Sequence, residues 1–377
     1  MKSSRLLLLL IATCVGALDA RVASAQDVEA STAGTATVSG AVISDGTGNP
    51  IPFSTVRLLP VGREKFADRN GAFVYYAVRP GTYHLQVRML GFMPVDTAFQ
   101  AVPNQVMRMT VTMTRIPTSL EKVTVSAPPR LCIFPDEMGH VEDPELALVL
   151  GEARKNAQRE QLLRRTYPFE YQMAQSHNTR DVESGRGSLQ YDTATYRSDD
   201  SWRYRRGRVV SDDNNKLFGQ VRIMRLPTVA DLADRHFLKS HCFKYSGVVD
   251  ERGRPAHRID FHADSTLIAP DVEGSIFLDS ATYLIKRAQF RLTRGGTVKP
   301  AILGLEVTTT YREILPNVAL FDEIVSVQPL PQQAGGNRIE FREVQKLLSY
   351  RFRFGGPPGT PPGHKWIPAD SVFTAPR

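Results

Sequence analysis

Apolar and polar residues alternate in short runs along most of the chain, and clusters of Gly, Pro, Asp and Asn separate these runs. A two-residue period predicts half-buried β-strands, because successive side chains of a strand point to opposite faces. Between residues 37 and 115 the runs are closely and regularly spaced, which is typical of a sandwich of about seven strands. The clearest of these runs are 37–42, 53–59, 72–78, 83–89 and 106–114.

A helical period begins at residue 143. Asp143 is a favourable N-cap and Pro144 suits the first helical position, and apolar residues then recur at helical spacing from Leu146 to Leu162. We therefore predict an amphipathic helix over residues 143–165. Its solvated side is expected to carry the charged residues Glu152, Arg154, Lys155, Arg159 and Glu160.

Strand-like runs return at Tyr167 and continue to residue 354. Because short turns separate them, we predict an antiparallel β-meander domain over residues 166–354, half-barrel-like, with a short helix at 229–239. A β-sandwich is the alternative for this region. The fold class is therefore mainly β, and residues 355–377 form a Pro/Gly-rich tail, extended or disordered. The predicted strands are 169–176, 187–197, 202–210, 218–225, 242–249, 256–263, 274–278, 283–292, 305–314, 320–327 and 339–354.

Several short motifs in the first β region occur in the order and at the spacing of a known domain family. They are Ser39-Gly40-Ala41-Val42, Asn49-Pro50-Ile51-Pro52, Asp68-Arg69-Asn70-Gly71-Ala72-Phe73, Arg79-Pro80-Gly81-Thr82-Tyr83 and Leu90-Gly91-Phe92. Residues 37–115 resemble the carboxypeptidase regulatory-like domain, a transthyretin-like sandwich with a carbohydrate-binding-like fold. The resemblance implies an accessory domain without catalytic residues of its own. Glycan binding by exposed aromatic residues, Tyr75 or Tyr76, is a further alternative.

Residues 116–142 are predicted to form a linker. Its segment from Leu120 to Ala127 resembles the connection between such a domain and the plug of TonB-dependent outer-membrane receptors. Those receptors need a barrel of about 22 strands, each of roughly 9–11 residues. The residues after Ala127 are too few for that barrel, so we expect only a short strand and a linker here.

The predicted meander is similar to the half-barrel folds of periplasmic lipoprotein carriers, chiefly through the hairpin at 274–287. In those proteins the sheet wraps a helix and an apolar cavity. The resemblance implies that residues 166–354 bind an apolar ligand or a partner at the outer membrane.

The first 25 residues have the pattern of a cleaved signal peptide. Lys2 and Arg5 precede an apolar core, and Ala25 ends a small-residue cleavage motif. We expect export to the periplasm or association with the outer membrane, and a flexible lead-in over residues 26–36. Lipidation at Cys14 is the alternative outcome of export.

Cleavage would leave two cysteines, Cys132 and Cys242. Because an exported protein meets an oxidising compartment, we favour a disulfide between them, with two buried free thiols as the alternative. Composition adds little beyond this. The 377 residues include 47 Lys or Arg against 39 Asp or Glu, and no apolar stretch after residue 25 is long enough for a membrane helix.

Motifs of known catalytic chemistry are missing from the sequence. No histidine has Glu three positions later, as zinc carboxypeptidases require, and no nucleophile elbow, phosphate loop or dinucleotide fingerprint occurs. We therefore predict no catalytic residue, metal or cofactor, and a non-catalytic envelope protein with a binding or structural role. The alternative is an extracytoplasmic hydrolase with its site in residues 130–354, for which His236, His241 and His257 are candidates.

Residues 201–208 interleave aromatic and basic side chains. On a strand, Trp202 and Tyr204 point to one face and Arg203 and Arg205 to the other. Arginines suit the phosphates of anionic lipid or lipopolysaccharide, whereas export argues against nucleic acid. We predict these four residues, with His257 on the apolar face of its strand, as ligand or partner contacts. The alternative is an apolar face backed by a solvated basic face, and the sequence does not specify the oligomeric state.

Overall fold

The computed structural model describes residues 34–117, 132–136, 140–200, 202–215, 219–225, 227–299, 301–330, 338–361, 363 and 365–370. Strands make up 52% of the structure and helices 12%, which confirms the mainly β fold class. The predicted signal peptide, Cys14 and the receptor-like segment at 120–127 lie outside the described residues.

The first β region forms two packed sheets with seven strands in total, as the sequence predicts. The strands are β1 (Ala36–Ser44), β2 (Thr55–Leu59), β3 (Arg63–Phe66), β4 (Ala72–Val78), β5 (Gly81–Arg88), β6 (Val95–Ala101) and β7 (Val106–Met113). One sheet has the order β4-β1-β7 with β1 and β7 parallel, and the other has the order β3-β2-β5-β6. Alternate residues enter the core between the sheets, for example Tyr83, Leu85 and Val87 of β5.

The tight turn between β3 and β4 depends on two residues of the local sequence. The carboxylate of Asp68 accepts hydrogen bonds from the backbone N–H groups of Asn70 and Ala72, each at 2.8 Å. Gly71 has a φ of +70°, and a Cβ there would lie 2.5 Å from the carbonyl oxygen of Val42. Both observations explain why glycine occupies this position.

The second β region is built on one open antiparallel sheet of ten strands. Its strands, together with the separate hairpin β10–β11, are β8 (Phe169–Asp181), β9 (Gly187–Arg197), β10 (Val210–Asn215), β11 (Gly219–Met224), β12 (His241–Asp250), β13 (Pro255–Ala263), β14 (Asp271–Asp279), β15 (Ile285–Thr293), β16 (Glu306–Leu315), β17 (Val318–Pro329), β18 (Ile339–Phe352) and β19 (Ile367–Pro368). The order is β12-β13-β14-β15-β16-β17-β18-β8-β9, and β19 pairs with β18. Strands β12 to β18 are therefore a meander, which β8 and β9 extend at the β18 side.

A long helix, α1 (Pro144–Thr166), covers one face of this sheet. It begins where the sequence predicts, because the Asp143 carboxylate accepts hydrogen bonds from the N–H groups of Glu145 and Leu146, each at 3.0 Å. Its apolar side shares a core with sheet residues that include Phe243, Ile259, Phe261, Ile276 and Phe290. Neither described α-helix combines the length and the apolar character that crossing a membrane would require.

The charged side of α1 is not solvated, and this corrects the sequence prediction. Glu152, Arg159 and Glu160 are buried, and Arg154 and Lys155 are partly buried. Other elements close over this side of the helix, which the period of a single helix cannot reveal. Because buried polar groups need partners, Glu152, Lys155 and Arg159 bind backbone groups of the surrounding elements, whereas Glu160 pairs with Arg164 of the same helix.

Glu152 and Lys155 bind a loop of the sandwich. The Glu152 carboxylate accepts a hydrogen bond from the N–H of Gly91 at 2.9 Å. The Lys155 ammonium donates to the carbonyls of Met89 and Phe92 at 3.1 and 2.7 Å, and lies 2.6 Å from Glu152. Burial lowers the pKa of Lys155 and raises that of Glu152.

Asn156 and Arg159 extend this junction to the large sheet. The Asn156 amide donates to the carbonyl of Tyr283 at 2.9 Å. The Arg159 guanidinium donates to the carbonyl of Phe53 in the sandwich at 2.8 Å, and to that of Asn317 in the turn between β16 and β17 at 2.7 Å. Polar residues of α1 therefore join the sandwich, the helix and the sheet.

The predicted strand at 202–210 is wrong for most of its length. Residues 202–209 run as turns and irregular backbone, and β10 begins at Val210. The N–H of Tyr204 donates to the Asp231 carboxylate at 3.0 Å rather than to a neighbouring strand. The Asp231 side chain thus takes the place of the neighbouring strand that the alternating pattern predicts as hydrogen-bond partner.

Two smaller differences concern short elements. The helix predicted at 229–239 is divided at Asp234 into a 3-10 helix (Val229–Ala233) and α2 (Arg235–Ser240). The predicted tail over 355–377 contains β19, which pairs with β18; Ile367 of this strand and Ala369 after it are buried. Composition alone did not indicate this strand, because Pro and Gly dominate the residues before it.

Candidate functional site

The C-terminal end of α1 borders a cleft of about 600 Å³. Three stretches that are distant in sequence form its walls: the last turns of α1, the stretch around Trp202, and the 3-10 helix with the start of α2. The lining residues are Gln161, Arg164, Arg165, Ser198, Asp199, Trp202, Arg203, Thr228, Ala230, Asp231, Asp234 and Arg235. Four of them are arginines and three are aspartates. Each aspartate already accepts a hydrogen bond from a neighbouring group, so the cleft is a candidate site for an anion.

Tyr204 anchors the wall that carries Trp202 and Arg203. Its side chain is 2% exposed, and its hydroxyl donates to the Asp271 carboxylate at 2.7 Å. Burial and the charge of Asp271 raise the pKa of Tyr204, so the hydroxyl remains a donor. The Trp202 ring meets the Tyr204 ring edge to face at 6.2 Å, and Arg203 is left exposed.

Asp231 holds the opposite wall in place. Its carboxylate accepts hydrogen bonds from the N–H of Thr228 at 2.7 Å and from the N–H of Tyr204 at 3.0 Å. Burial raises the pKa of Asp231, and these hydrogen bonds act in the opposite direction. The carboxylate therefore joins two stretches of the chain rather than facing a ligand.

Two of the four arginines have carboxylate partners. Arg164 lies 2.6 Å from Glu160; burial opposes its charge, but this ion pair raises the pKa of Arg164 above the ordinary value. Arg165 lies 3.0 Å from Glu64 of the sandwich. These two residues have structural partners at the end of α1.

Among the described residues, Arg203 and Arg235 have no carboxylate partners. Both are exposed, and neither forms a hydrogen bond or an ion pair through its side chain within the described part of the chain. The nearby carboxylate of Asp199 is already paired with Arg197 at 2.7 Å and with Arg353 at 3.1 Å. Because a guanidinium presents a planar fork of donors that matches phosphate and carboxylate, these two side chains are available to an anionic ligand.

The structure brings together three of the four residues that the aromatic and basic pattern indicates. Trp202 and Arg203 line the cleft, and Tyr204 lies directly behind them. Arg205 is exposed but is not part of the lining. The alternation therefore predicts which side chains point outward, although the backbone is not a strand.

His257 lies away from the cleft, on β13, and its side chain is buried. Its Nδ1 is 2.7 Å from the Tyr245 hydroxyl, and its ring stacks on that of Tyr283 with centroids 5.0 Å apart. Burial lowers the pKa of His257. The residue is positioned to stabilise the fold rather than to contact a ligand of the cleft.

Sequence reasoning missed Arg164, Arg165 and Arg235 as cleft residues. Basic residues in the last turn of a helix are common because they interact favourably with the helix dipole, so Arg164 and Arg165 carry no specific signal. Arg235 follows the cap of a six-residue helix. Only the folded chain shows that all three border one cleft.

The two tyrosines considered for glycan binding differ in exposure. Tyr75 is 2% exposed and donates its hydroxyl to the carbonyl of Val56 at 2.7 Å, so the expectation of an exposed side chain is wrong for this residue. Alternation along β4 places Tyr75 between the sheets. Tyr76 points outward and is 65% exposed.

A disulfide joins Cys132 to Cys242, with Cα atoms 5.3 Å apart. It holds a short segment against the first strand of the large sheet. In this segment Ile133 exchanges backbone hydrogen bonds with Phe243, at 2.9 and 2.7 Å. The disulfide thus holds this segment beside the start of β12.

The three histidines considered for a hydrolase are separated in the fold. His236 is exposed at the start of α2, and His257 is buried on β13. His241 is also buried, and its ring nitrogens lie 2.9 Å from the carbonyl oxygen of Phe237 and 3.1 Å from that of Val272. Within the described residues, no three His, Cys, Asp or Glu side chains lie close enough to hold a metal ion.

Residues 37–114 match the family model of the carboxypeptidase regulatory-like domain, which confirms the resemblance seen in the sequence motifs. No curated protein sequence matches the chain significantly.

Solved structures resemble parts of the chain. A minor pilin from Streptococcus agalactiae is 16% identical over 26% of this chain and 49% of that chain, with a TM-score of 0.21. A putative outer membrane lipoprotein-sorting protein domain from Vibrio parahaemolyticus is 11% identical over 55% of this chain and 94% of that chain, with a TM-score of 0.29. A LolA superfamily protein from Nitrosomonas europaea is 10% identical over the same two shares, with a TM-score of 0.28. The chain spans about half the length of the pilin.

Proposed function

We propose that this protein is a non-catalytic binding protein of the cell envelope that holds an anionic lipid head group in the cleft beside Trp202. The observation that carries the proposal is the pair of guanidinium groups, Arg203 and Arg235, which line the cleft without partners in the described residues. The carboxypeptidase regulatory-like region supports an accessory role. Export, as the sequence predicts, would place the cleft near envelope lipids.

A phosphate group matches the chemistry of this cleft. Two arginine forks can share its oxygens, and hydrogen bonds to charged groups contribute about 1.5–3 kcal/mol each. Trp202 adds a ring with an apolar body and a polar N–H, a combination that suits the boundary between a head group and acyl chains. The cleft therefore offers both charge and an amphipathic surface.

The acyl chains of such a lipid are expected to remain outside the protein. Leu150, Ala153 and Ala157 of α1 are fully buried in the core between the helix and the sheet, where a half-barrel carrier would have its apolar cavity. An acyl chain could enter only if α1 moved, and Glu152 and Arg159 bind this helix to the sandwich. This packing favours peripheral contact with a lipid surface.

Co-sedimentation with vesicles tests the proposal. Wild-type protein should bind vesicles that contain phosphatidylglycerol and should not bind vesicles of phosphatidylcholine alone. The double change Arg203→Gln/Arg235→Gln should weaken binding on the order of tenfold, because it removes both free forks.

The matched control is Arg79→Gln/Arg108→Gln, which removes the same charge from two exposed arginines of the sandwich. Binding of the control should stay close to wild type. An equal loss in both variants would show that total charge, rather than the cleft, attracts the vesicles, and would overturn the proposal. The proposal would also be overturned if the wild-type protein bound neither kind of vesicle.

A further inference from the structure

The two edges of the ten-stranded sheet differ in what covers them. At the β12 edge, Ile133 exchanges backbone hydrogen bonds with Phe243 and the Cys132–Cys242 disulfide holds the covering segment in place. At the opposite edge, β9 pairs with β8 on one side, and no described strand pairs with its other side. An uncovered edge presents backbone N–H and C=O groups to other chains.

The β9 edge is long and regular. All eleven of its residues pair with β8 in one continuous register, without a bulge. The strand contains neither Pro nor Lys, two residues that proteins commonly use to block an edge. Leu189 and Tyr191 are 51% and 76% exposed, so a partner strand would bury apolar surface as well as backbone groups.

We propose that β9 pairs with the β9 of a second copy of this chain, antiparallel, with the two-fold axis at Tyr191. In this register Tyr191 faces the partner's Tyr191, and Leu189 faces the partner's Thr193. Gln190 faces the partner's Asp192, and by symmetry this pair occurs twice. The two large sheets then continue into one another across the axis.

Charge excludes one register of this self-pairing and is compatible with the proposed one. Asp192 is the single carboxylate of β9, and an axis at that residue would bring two carboxylates face to face. An axis at Tyr191 places each carboxylate opposite a carboxamide that can donate a hydrogen bond. The same patch then serves both subunits, as a closed two-fold interface requires.

One local contact must rearrange when the strands pair. The N–H of Thr193 donates to the carboxylate of Asp192 at 2.6 Å. In the dimer the partner's Gln190 amide becomes an alternative donor to this carboxylate. The Asp192 carboxylate thus exchanges one hydrogen-bond donor for another. Burial of the tyrosine and leucine side chains then favours association.

Sedimentation velocity over a series of protein concentrations tests the register. Wild type should show a monomer–dimer equilibrium. Gln190→Lys should lower the dissociation constant roughly fivefold, because two Lys–Asp pairs form across the axis, and Gln190→Asp should raise it by a similar factor. Opposite responses to two substitutions at one exposed position are specific to this register.

The matched controls are Gln100→Lys and Gln100→Asp, which change an exposed glutamine on β6, an edge strand of the sandwich. Neither control should alter the dissociation constant, and circular dichroism should show that all variants fold. A wild type that stays monomeric throughout the series would overturn the proposal. A dimer that does not respond to Gln190, or responds with the same sign to both changes, would also overturn it.

Discussion

The hydroxyl of Tyr204 and the carboxylate of Asp271 form a 2.7 Å hydrogen bond inside the protein. The same carboxylate accepts a bond from the N–H of Gly207 at 3.1 Å. Together these bonds fasten an irregular stretch of chain to β14. These two hydrogen bonds position Trp202 and Arg203 in the wall of the cleft.

Tyr204→Phe should lower the free energy of unfolding by about 1–3 kcal/mol, because it leaves the buried Asp271 carboxylate without one donor. Urea denaturation measures this change. The control is Tyr76→Phe, which removes a hydroxyl from an exposed side chain and should change stability by less than about 0.5 kcal/mol. Equal stabilities of the two variants would contradict the role of the Tyr204 hydroxyl.

Arg159→Ala should destabilise the protein by about 2–4 kcal/mol, because two charge-assisted hydrogen bonds, to the carbonyls of Phe53 and Asn317, are lost together. Thermal and urea unfolding can both measure the loss. Arg108→Ala, at an exposed position of the sandwich, is the control. A loss no larger than that of the control would mean that the junction at α1 does not depend on this side chain.

His257 should make stability depend on pH. Burial lowers its pKa below the ordinary 6.5, so the unfolded chain binds a proton there more readily than the folded chain does. This contribution to stability is therefore complete above pH 6.5 and is lost as the pH falls toward the folded-state pKa.

His257→Phe keeps a ring beside Tyr283 and removes this titration. The slope of the unfolding free energy against pH should flatten between about pH 5 and the ordinary pKa of histidine. Urea denaturation at a series of pH values measures the slope. His236→Phe changes an exposed histidine and should leave the slope as in wild type; an identical effect of both changes would argue against a role for burial.

The Cys132–Cys242 disulfide spans 110 residues, and a loop of this length should stabilise the fold by about 4–5 kcal/mol. A reductant should therefore lower the stability of wild type, and should have no effect on the double variant Cys132→Ser/Cys242→Ser. Intact mass without reductant should be lower by two hydrogens than after reduction. An unchanged mass and no response to reductant would contradict the bond.

Local sequence predicted those elements whose signals act within a few residues. Asp143 and Pro144 mark the start of α1, and Asp68 with Gly71 forms the turn before β4. Period-two alternation identified most strands of the large sheet, because one face of that sheet packs against a core. These signals need no knowledge of distant residues.

The sequence predictions failed where a residue distant in the chain provides the hydrogen-bond partner. Glu152 and Arg159 are typical of a solvated helix face, yet loops of the sandwich and the sheet cover them. The stretch at 202–209 alternates as a strand does, but a distant carboxylate, Asp231, takes the hydrogen bond that a neighbouring strand would receive.

The sequence by itself determined the β class, the regulatory-like sandwich and the outward direction of Arg203, because periods and turn residues act locally. Tertiary structure decided that Arg203 and Arg235 line the same cleft. It also decided that Tyr204, next to Arg203 in the chain, is buried and donates a hydrogen bond to Asp271. In the same way it decided that Ile133 pairs with Phe243 at one edge of the large sheet, whereas no described strand pairs with the outer side of β9. The physical reason is that clefts and edges arise from the packing of segments far apart in the chain, and local periodicity does not encode which segments meet.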